Sequence, residues 1–317
     1  MSEINILYAF DTAFCDQAAV SILSLLENKR DDTVYHIFCM VPPHTRGQKV
    51  ILKIIQQYPG TKLTWRVIRH SENPFRKYDF SRWSPVIFYR LFAHRIFPNT
   101  DKILYLDSDT LVCDDLSELY SVDITNYVMG AVRDMAPTEN QHNPNGIYVA
   151  EFTQKYLKND IYFNSGVLLI NVKKMTEYGH LIPGVTDIEL KYPDQDLLNV
   201  AFDGKILSLP LRYNFGPGVK ISIKYPTQWQ QDVLAGNYAI LHFYTVKPYD
   251  YTNTPHDVYS RFYNTAKKLN LYPEDFMKRD MQRYHRKKQS NKTVIPFVRV
   301  IGNTITLFGI KIHHIRI

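Results

Sequence analysis

The sequence predicts an α/β fold, a sheet with helices on its faces, extended by a basic C-terminal segment. Three observations carry that prediction. Strand-like and helix-like stretches alternate through the first 110 residues, the order that builds a parallel sheet. One apolar stretch, K-I-L-Y-L-D-S-D from Lys102 to Asp109, ends in two aspartates, and the C-terminal edge of a parallel sheet is where such folds hold ligands. The 317 residues are 45% hydrophobic, enough for a sizeable core in one large domain with or without an appendage.

Each element has its own signal. Ile4 to Phe10 is an apolar strand, and Phe14 to Asn28 a helix with Ala18, Ile22, Leu25 and Leu26 on one face. Val34 to Val41 is a strand stopped by Pro42-Pro43, Gln48 to Tyr58 a helix and Leu63 to Ile68 a strand. Ser84-Pro85 supplies an N-cap and first-turn pair for a helix reaching Phe97. Beyond Asp109 the pattern is mixed: strands at 128–133, 162–171, 205–209 and 238–243, and short helices at 151–157 and 194–202. Pro, Gly and Asn cluster at 137–146 and 210–218, loops long enough to form part of a binding site. A helix over 257–269 leads to a basic region, and Gly302-Asn303 reads as a hairpin turn within the last segment.

Composition excludes several classes. Cys15, Cys39 and Cys113 are too few and too dispersed for a disulfide framework or a zinc site, which implies a reducing compartment with all three as small buried hydrophobes. No signal-peptide pattern follows Met1, and no apolar run approaches the ~20 residues needed to span a bilayer. Charge is unevenly placed. Residues 278–317 carry ten Lys/Arg against Asp280 alone, a net +9, so the first 277 residues sum to −2 within a total of +7. Such a tail fits an anionic partner, while a terminal hairpin packed on the body is the alternative for residues 294–317.

In an extended strand alternate side chains share a face, so Asp107 and Asp109 are expected to point the same way. Paired carboxylates there offer hard oxygen ligands to Mg²⁺ or Mn²⁺; a solvated turn after a buried strand explains the same residues.

Five segments in order then carry a resemblance: I-L-Y-A-F-D-T-A-F, Y-L-D-S-D-T-L-V, F-N-S-G-V-L-L-I-N-V (163–172), Y-P-D-Q-D-L-L-N (192–199) and L-H-F followed by K-P-Y (241–249). Together, over residues 4–250, they resemble glycosyltransferase family 8. The resemblance implies a GT-A nucleotide-diphospho-sugar transferase fold (a Rossmann-like mixed sheet with flanking helices), Mn²⁺ dependence with Mg²⁺ as the alternative, and retention of anomeric configuration. It implies a hexose, glucose or galactose, moved from a UDP-sugar to a glycan or lipid-linked saccharide. The site residues it implies are Asp107, Asp109 and His242 for the metal, and Ala9, Asp11, Thr12, Phe14 and Lys247 for the nucleotide. Arg90, Asn164, Ser165, Asp194 and Gln195 are implied for the donor sugar, with Asp194 and Gln195 as the catalytic residues.

Physical chemistry is compatible with each role. Two carboxylates and an imidazole suit Mn²⁺ better than Mg²⁺. A carboxylate at Asp11 accepts from an imide N–H, and Phe14 offers a face to a base, although Asp11 or Thr12 also serves as a helix cap. Arg90 on a helix is either a phosphate or hydroxyl partner or a solvated cation. At Gln195 an amide is a poor nucleophile, which favours a front-face reaction over a covalent intermediate. The segment after His242 departs from the family's H-F-x-G-x-x-K-P-W: it is one residue shorter, with Thr245 for glycine and Tyr249 for tryptophan.

The expected organisation is a GT-A catalytic domain over 1–250, a helical and increasingly basic segment over 251–288, and a basic, apolar tail over 289–317. The tail is expected to bring the protein from the cytoplasm to the inner face of the membrane. Other readings are a nucleotide-sugar-binding protein without transferase activity, a metal-dependent nucleotidyltransferase, although D-T-A-F has no glycine-rich phosphate loop, and a nucleic-acid binder. The last lacks any recognisable module and is not expected.

Overall fold

The computed structural model describes residues 3–76, 83–135, 144–185, 188–217, 228–244 and 256–271, and the backbone of strands at 298–301, 304–307 and 310–314. The chain forms two compact units, residues 1–245 and 246–317. In the first, strands β1 (Glu3–Ala9), β2 (Val34–Val41), β3 (Lys62–Val67), β4 (Lys102–Leu106), β6 (Met129–Arg133), β7 (Phe163–Asn171) and β8 (Ile206–Leu209) form a seven-stranded sheet in the order β3-β2-β1-β4-β7-β6-β8. Strands β1 to β4 are parallel, as the alternating pattern requires. β7 then runs antiparallel to both β4 and β6, and β8 parallel to β6. The sheet is therefore mixed. A separate two-stranded ladder pairs β5 (Thr110–Val112) with β9 (Ile240–His242).

Topology decides where function can sit. β1, β4, β6 and β8 share one direction, so their C-terminal ends lie along one edge. Antiparallel β7 enters at that same edge with Phe163-Asn164-Ser165-Gly166. Polar residues just beyond β1 (Asp11), β4 (Asp107) and β6 (Asp134) and at the start of β7 (Asn164, Ser165) thus lie along one edge.

The helix Cys15–Glu27 packs its Ala18, Ile22 and Leu25 face completely out of solvent, preceded by a 3₁₀ turn at Thr12–Phe14. The expected helix after Ser84 is instead a 3₁₀ segment, Pro85–Phe92, followed by a single α turn, Ala93–Ile96. The physical reason is burial on more than one side: Val86, Phe88, Tyr89, Arg90, Leu91 and Phe92 are all buried, and an amphipathic α-helix has no such pattern. Ser84 makes no cap bond. Cys15 and Cys39 are free and buried, whereas Cys113 is only half-buried, a correction to the expectation for all three.

In the second unit a helix spans His256–Lys268. Antiparallel strands β10 (Val298–Ile301), β11 (Thr304–Leu307) and β12 (Ile310–His314) form a sheet, with Ile301 opposite Thr304; the turn expected at Gly302-Asn303 falls on residues outside those described. Residues 272–297, with most of the basic segment, lie outside the described residues. Among the described residues no helix is long and apolar enough to cross a membrane.

One buried group makes stability depend on pH. His94 is 5% exposed, its Nδ1 has no hydrogen-bond partner, and burial beside Arg95 pushes its pKa down to about 4 from an ordinary 6.5. The unfolded chain therefore takes up a proton before the folded one does. The stability held above pH 6.5 is lost as the pH falls toward 4. Relative to wild type, His94→Met is expected to gain about 2–3 kcal/mol over that window, after discounting for solvent screening. Denaturant midpoints of both proteins at several pH values check this; parallel curves would remove His94 from the linkage.

Candidate active site

Asp107, Ser108 and Asp109 do not continue strand β4. The strand ends at Leu106, the three residues turn, and Thr110 begins β5 in the other sheet. The alternation argument for a shared face therefore fails, yet the carboxylates still converge because the turn is fastened at both ends. Asp107 N–H donates to Gly166 O at 2.8 Å, and Phe243 N–H donates to Asp109 O at 3.0 Å. The second bond belongs to the β5–β9 ladder, in which Thr110 lies opposite His242. His242 Nε2 consequently sits 3.2 Å from Asp109 Oδ1 and 3.6 Å from Asp107 Oδ2.

These three residues offer one ligand atom each, all within 4.8 Å of one another. Their surroundings fit a cation. His242 and Asp109 are 3% and 9% exposed, so two acids and a ring are held together with little water to screen them. Gly166 keeps the space beside them open: a Cβ there would lie 2.0 Å from His242 Cε1, 2.5 Å from its Nδ1 and 2.9 Å from Asp107 Oδ2. A set of two carboxylate oxygens and an imidazole nitrogen is one that a divalent transition metal accepts.

Arg90 is no solvated cation. It is 5% exposed, and its guanidinium is the junction between the metal turn and the helix Pro193–Ala201. Nη2 donates to Asp107 Oδ1 at 2.7 Å, Nη1 donates to Ser165 O at 2.7 Å, and Nε lies 3.2 Å from Asp194 Oδ2. The guanidinium also lies 4.5 Å from the ring centroid of Tyr105, whose hydroxyl donates to Asp107 Oδ1 at 2.6 Å. Burial alone pulls the Arg90 pKa down, but Asp107, Tyr105 and Asp194 together hold it above the ordinary value. Burial raises the pKa of Asp194, opposed by Arg90.

The helix Pro193–Ala201 brings Asp194 and Gln195 to the sheet edge. Asp194 Oδ2 accepts from Ser165 Oγ at 3.0 Å. Gln195 Oε1 accepts from Ser165 N–H at 2.9 Å, and its Nε2 donates to Asp134 Oδ2 at 3.1 Å. Its neighbour Asp196 is fully buried and takes the hydroxyls of Tyr148 and Tyr162 and the Lys191 and Tyr192 N–H groups; burial still raises its pKa to about 6. Asn164 bonds to Gly166 N–H, Asp134 and Asn214.

Of the expected nucleotide residues, Ala9 touches the same turn. Ala9 O accepts from Ser108 Oγ at 3.3 Å. Asp11 Oδ1 caps the 3₁₀ turn through Ala13 N–H at 2.9 Å, while Oδ2 accepts from Ser84 Oγ at 2.8 Å, so the capping role holds and ties the turn to the Arg90 segment. Thr12 Oγ1 accepts from Arg46 N–H at 3.0 Å, and Phe14 is 39% exposed. Lys247 lies outside the described residues.

Sequence reasoning missed Asp134, Asn214 and Gly166. Asp134 carried the signal that marked Asp107, an acid directly after an apolar strand. Asn214 carried none, because its partners Asn164 and His242 are 50 and 28 residues away.

Residues 5–253 match the family described as glycosyl transferase family 8. The chain belongs to glycosyltransferase family 8. A family 8 relative, the lipopolysaccharide 1,2-glucosyltransferase of Escherichia coli K12, is 30% identical over 250 residues, covering 76% of this chain and 71% of its own. A putative glycosyltransferase of Haemophilus influenzae is 28% identical over 234 residues, covering 70% and 66%. The fold is that of GT-A enzymes. The galactosyltransferase LgtC, solved with donor and acceptor sugar analogues, superposes with a TM-score of 0.63 at 24% identity, over 86% of this chain and 99% of LgtC. The bifunctional glycosyltransferase WbbM gives 0.69 at 22% identity, over 84% of this chain and 50% of WbbM. This family 8 protein is a glycosyltransferase.

Proposed function

We propose that the protein is a retaining, Mn²⁺-dependent hexosyltransferase that moves glucose or galactose from a UDP-sugar to a glycan or glycolipid acceptor in cell-surface polysaccharide synthesis. A lipopolysaccharide acceptor is the reading favoured by the E. coli relative. The observation that carries the proposal is the convergence of Asp107, Asp109 and His242 within 4.8 Å, next to the buried Arg90–Asp194 pair.

A bound Mn²⁺ would supply positive charge to the departing nucleoside diphosphate. The protein's own residues do the rest. Asp11 and the exposed face of Phe14 hold and stack the base. Asp194, held by Arg90 and Ser165, presents a carboxylate to sugar hydroxyls. Gln195 is committed through both ends of its amide to Ser165 and Asp134, which makes it a rigid wall of the sugar site and not a nucleophile. Retention then relies on the leaving phosphate to take the acceptor proton on the face it departs from.

Calorimetric titration with UDP, with and without Mn²⁺, tests the nucleotide–metal site. Wild type is expected to bind UDP at least tenfold more tightly with Mn²⁺, and Asp109→Ala to lose that gain. UDP binding indifferent to both would overturn the reading.

The +9 segment at 278–317 is proposed to hold the enzyme on the inner, anionic face of the membrane. Each cation near such a surface contributes roughly 1 kcal/mol. Neutralising Arg286, Lys287 and Lys288 to Gln should then lower partitioning onto phosphatidylglycerol vesicles about 100-fold. Unchanged flotation with the vesicles would refute a membrane role for the segment.

A further inference from the structure

We infer that Asn214 is a positioning residue for His242: it fixes a ring proton on Nδ1, so that Nε2 is the nitrogen left to face Asp107 and Asp109. The inference rests on the metal reading above and follows from a line of buried hydrogen bonds whose direction is set by backbone amides. Gly166 N–H can only donate, and it donates to Asn164 Oδ1 at 2.9 Å. That identifies the oxygen end of the Asn164 amide, and its Nδ2 donates to Asp134 Oδ2 at 3.2 Å. Asn214 meets the same Asn164 Oδ1 at 2.8 Å and so approaches it with its own Nδ2. The remaining end of Asn214, Oδ1, therefore lies 2.9 Å from His242 Nδ1. A carbonyl oxygen only accepts, so Nδ1 carries the proton.

The line is anchored at a second amide. Asp134 Oδ2 also accepts from Gln195 Nε2 at 3.1 Å, and Gln195 Oε1 accepts from Ser165 N–H at 2.9 Å. Neither amide can flip without setting two acceptors against each other. Asp134, Asn164, Asn214 and His242 are 4%, 5%, 2% and 3% exposed, so water does not offer an easy substitute partner. With Nδ1 turned to Asn214, Nε2 is the ring nitrogen that faces the two carboxylates, 3.2 Å from Asp109 Oδ1, and a cation bound there would take the place of any proton on it. Such an outer partner fixes both ring orientation and ligand basicity, and its loss typically lowers metal affinity 10–100-fold. Through Asp134, the same line ties Gln195 to the metal ligand.

Mn²⁺ titration of the full-length protein without nucleotide tests this. Asn214→Ala is expected to bind Mn²⁺ 10–100-fold more weakly. Tyr120→Phe, which removes a bond to Lys102 O at the start of β4, the end of that strand away from Asp107, is expected to keep wild-type affinity despite lower stability. Wild-type Mn²⁺ affinity in folded Asn214→Ala would overturn this inference alone. No Mn²⁺ binding by wild type would overturn the metal reading and this inference with it. A second measurement needs no Asn214 variant: nitrogen NMR of ring-labelled wild type loaded with diamagnetic Zn²⁺. The His242 signal, one among 11 histidines, is identified by its absence in His242→Gln. A proton-bearing Nδ1 and a metal-bound Nε2 are expected; the reverse assignment would refute the role given to Asn214.

Discussion

Replacing Arg90 with Met is expected to destabilise the first unit by about 3–5 kcal/mol, the usual cost of removing one partner from a buried ion pair. The size follows from what the guanidinium leaves behind. Asp107 and Asp194 would both stay in a poorly hydrated site, Ser165 O would lose its donor, and the ring of Tyr105 would lose its cation. Arg90→Lys should recover less than half of the loss, because one ammonium cannot reproduce three planar donors aimed at three acceptors. Denaturant midpoints at constant pH measure both variants. A methionine variant as stable as wild type would mean that the two carboxylates tolerate each other without the cation.

Gly166→Ala is expected to cut Mn²⁺ affinity at least tenfold and turnover of a UDP-sugar at least 100-fold while the sheet survives. The added methyl would sit 2.0 Å from His242 Cε1, closer than any real contact. His242 has no room to retreat, being 3% exposed and held by Asn214 and its own ladder. A shift of about 1 Å in a positioned group is enough for a 100-fold loss. Gly166 lies within strand β7, so circular dichroism of the variant separates a displaced ligand from a lost fold. Normal metal affinity with a normal spectrum would show that the ring moves freely.

What the sequence could convey depended on the distance over which each feature is determined. Strand β2 was legible to the residue, because eight apolar-rich residues bounded by Pro42-Pro43 define a strand locally. Asp107, Asp109 and His242 were legible as a set only through motifs in order; the geometric reason first attached to the aspartates was wrong, since a turn and not a strand joins them. Arg90 was recognised as near the site but not as buried. Its burial is decided by Asp107, Asp194 and Ser165, up to 104 positions away. The 3₁₀ form of Pro85–Phe92 follows from packing on several sides at once, which no single-helix periodicity records. Asp134 and Asn214 were invisible as a pair, because they meet only through Asn164.

The ladder between β5 and β9 also sets an order of events in time. It joins Thr110 to His242, so the two aspartates leave the ribosome long before the third ligand exists. Until β9 has been made and has found β5, the acidic turn has no imidazole and the pocket is not there. A cation would thus recognise the finished fold and little that precedes it. By mass action it would hold the last-formed ladder closed, by about 2.7 kcal/mol at a concentration 100 times its dissociation constant. Supply of such a cation would then govern how long the enzyme survives as well as how fast it works.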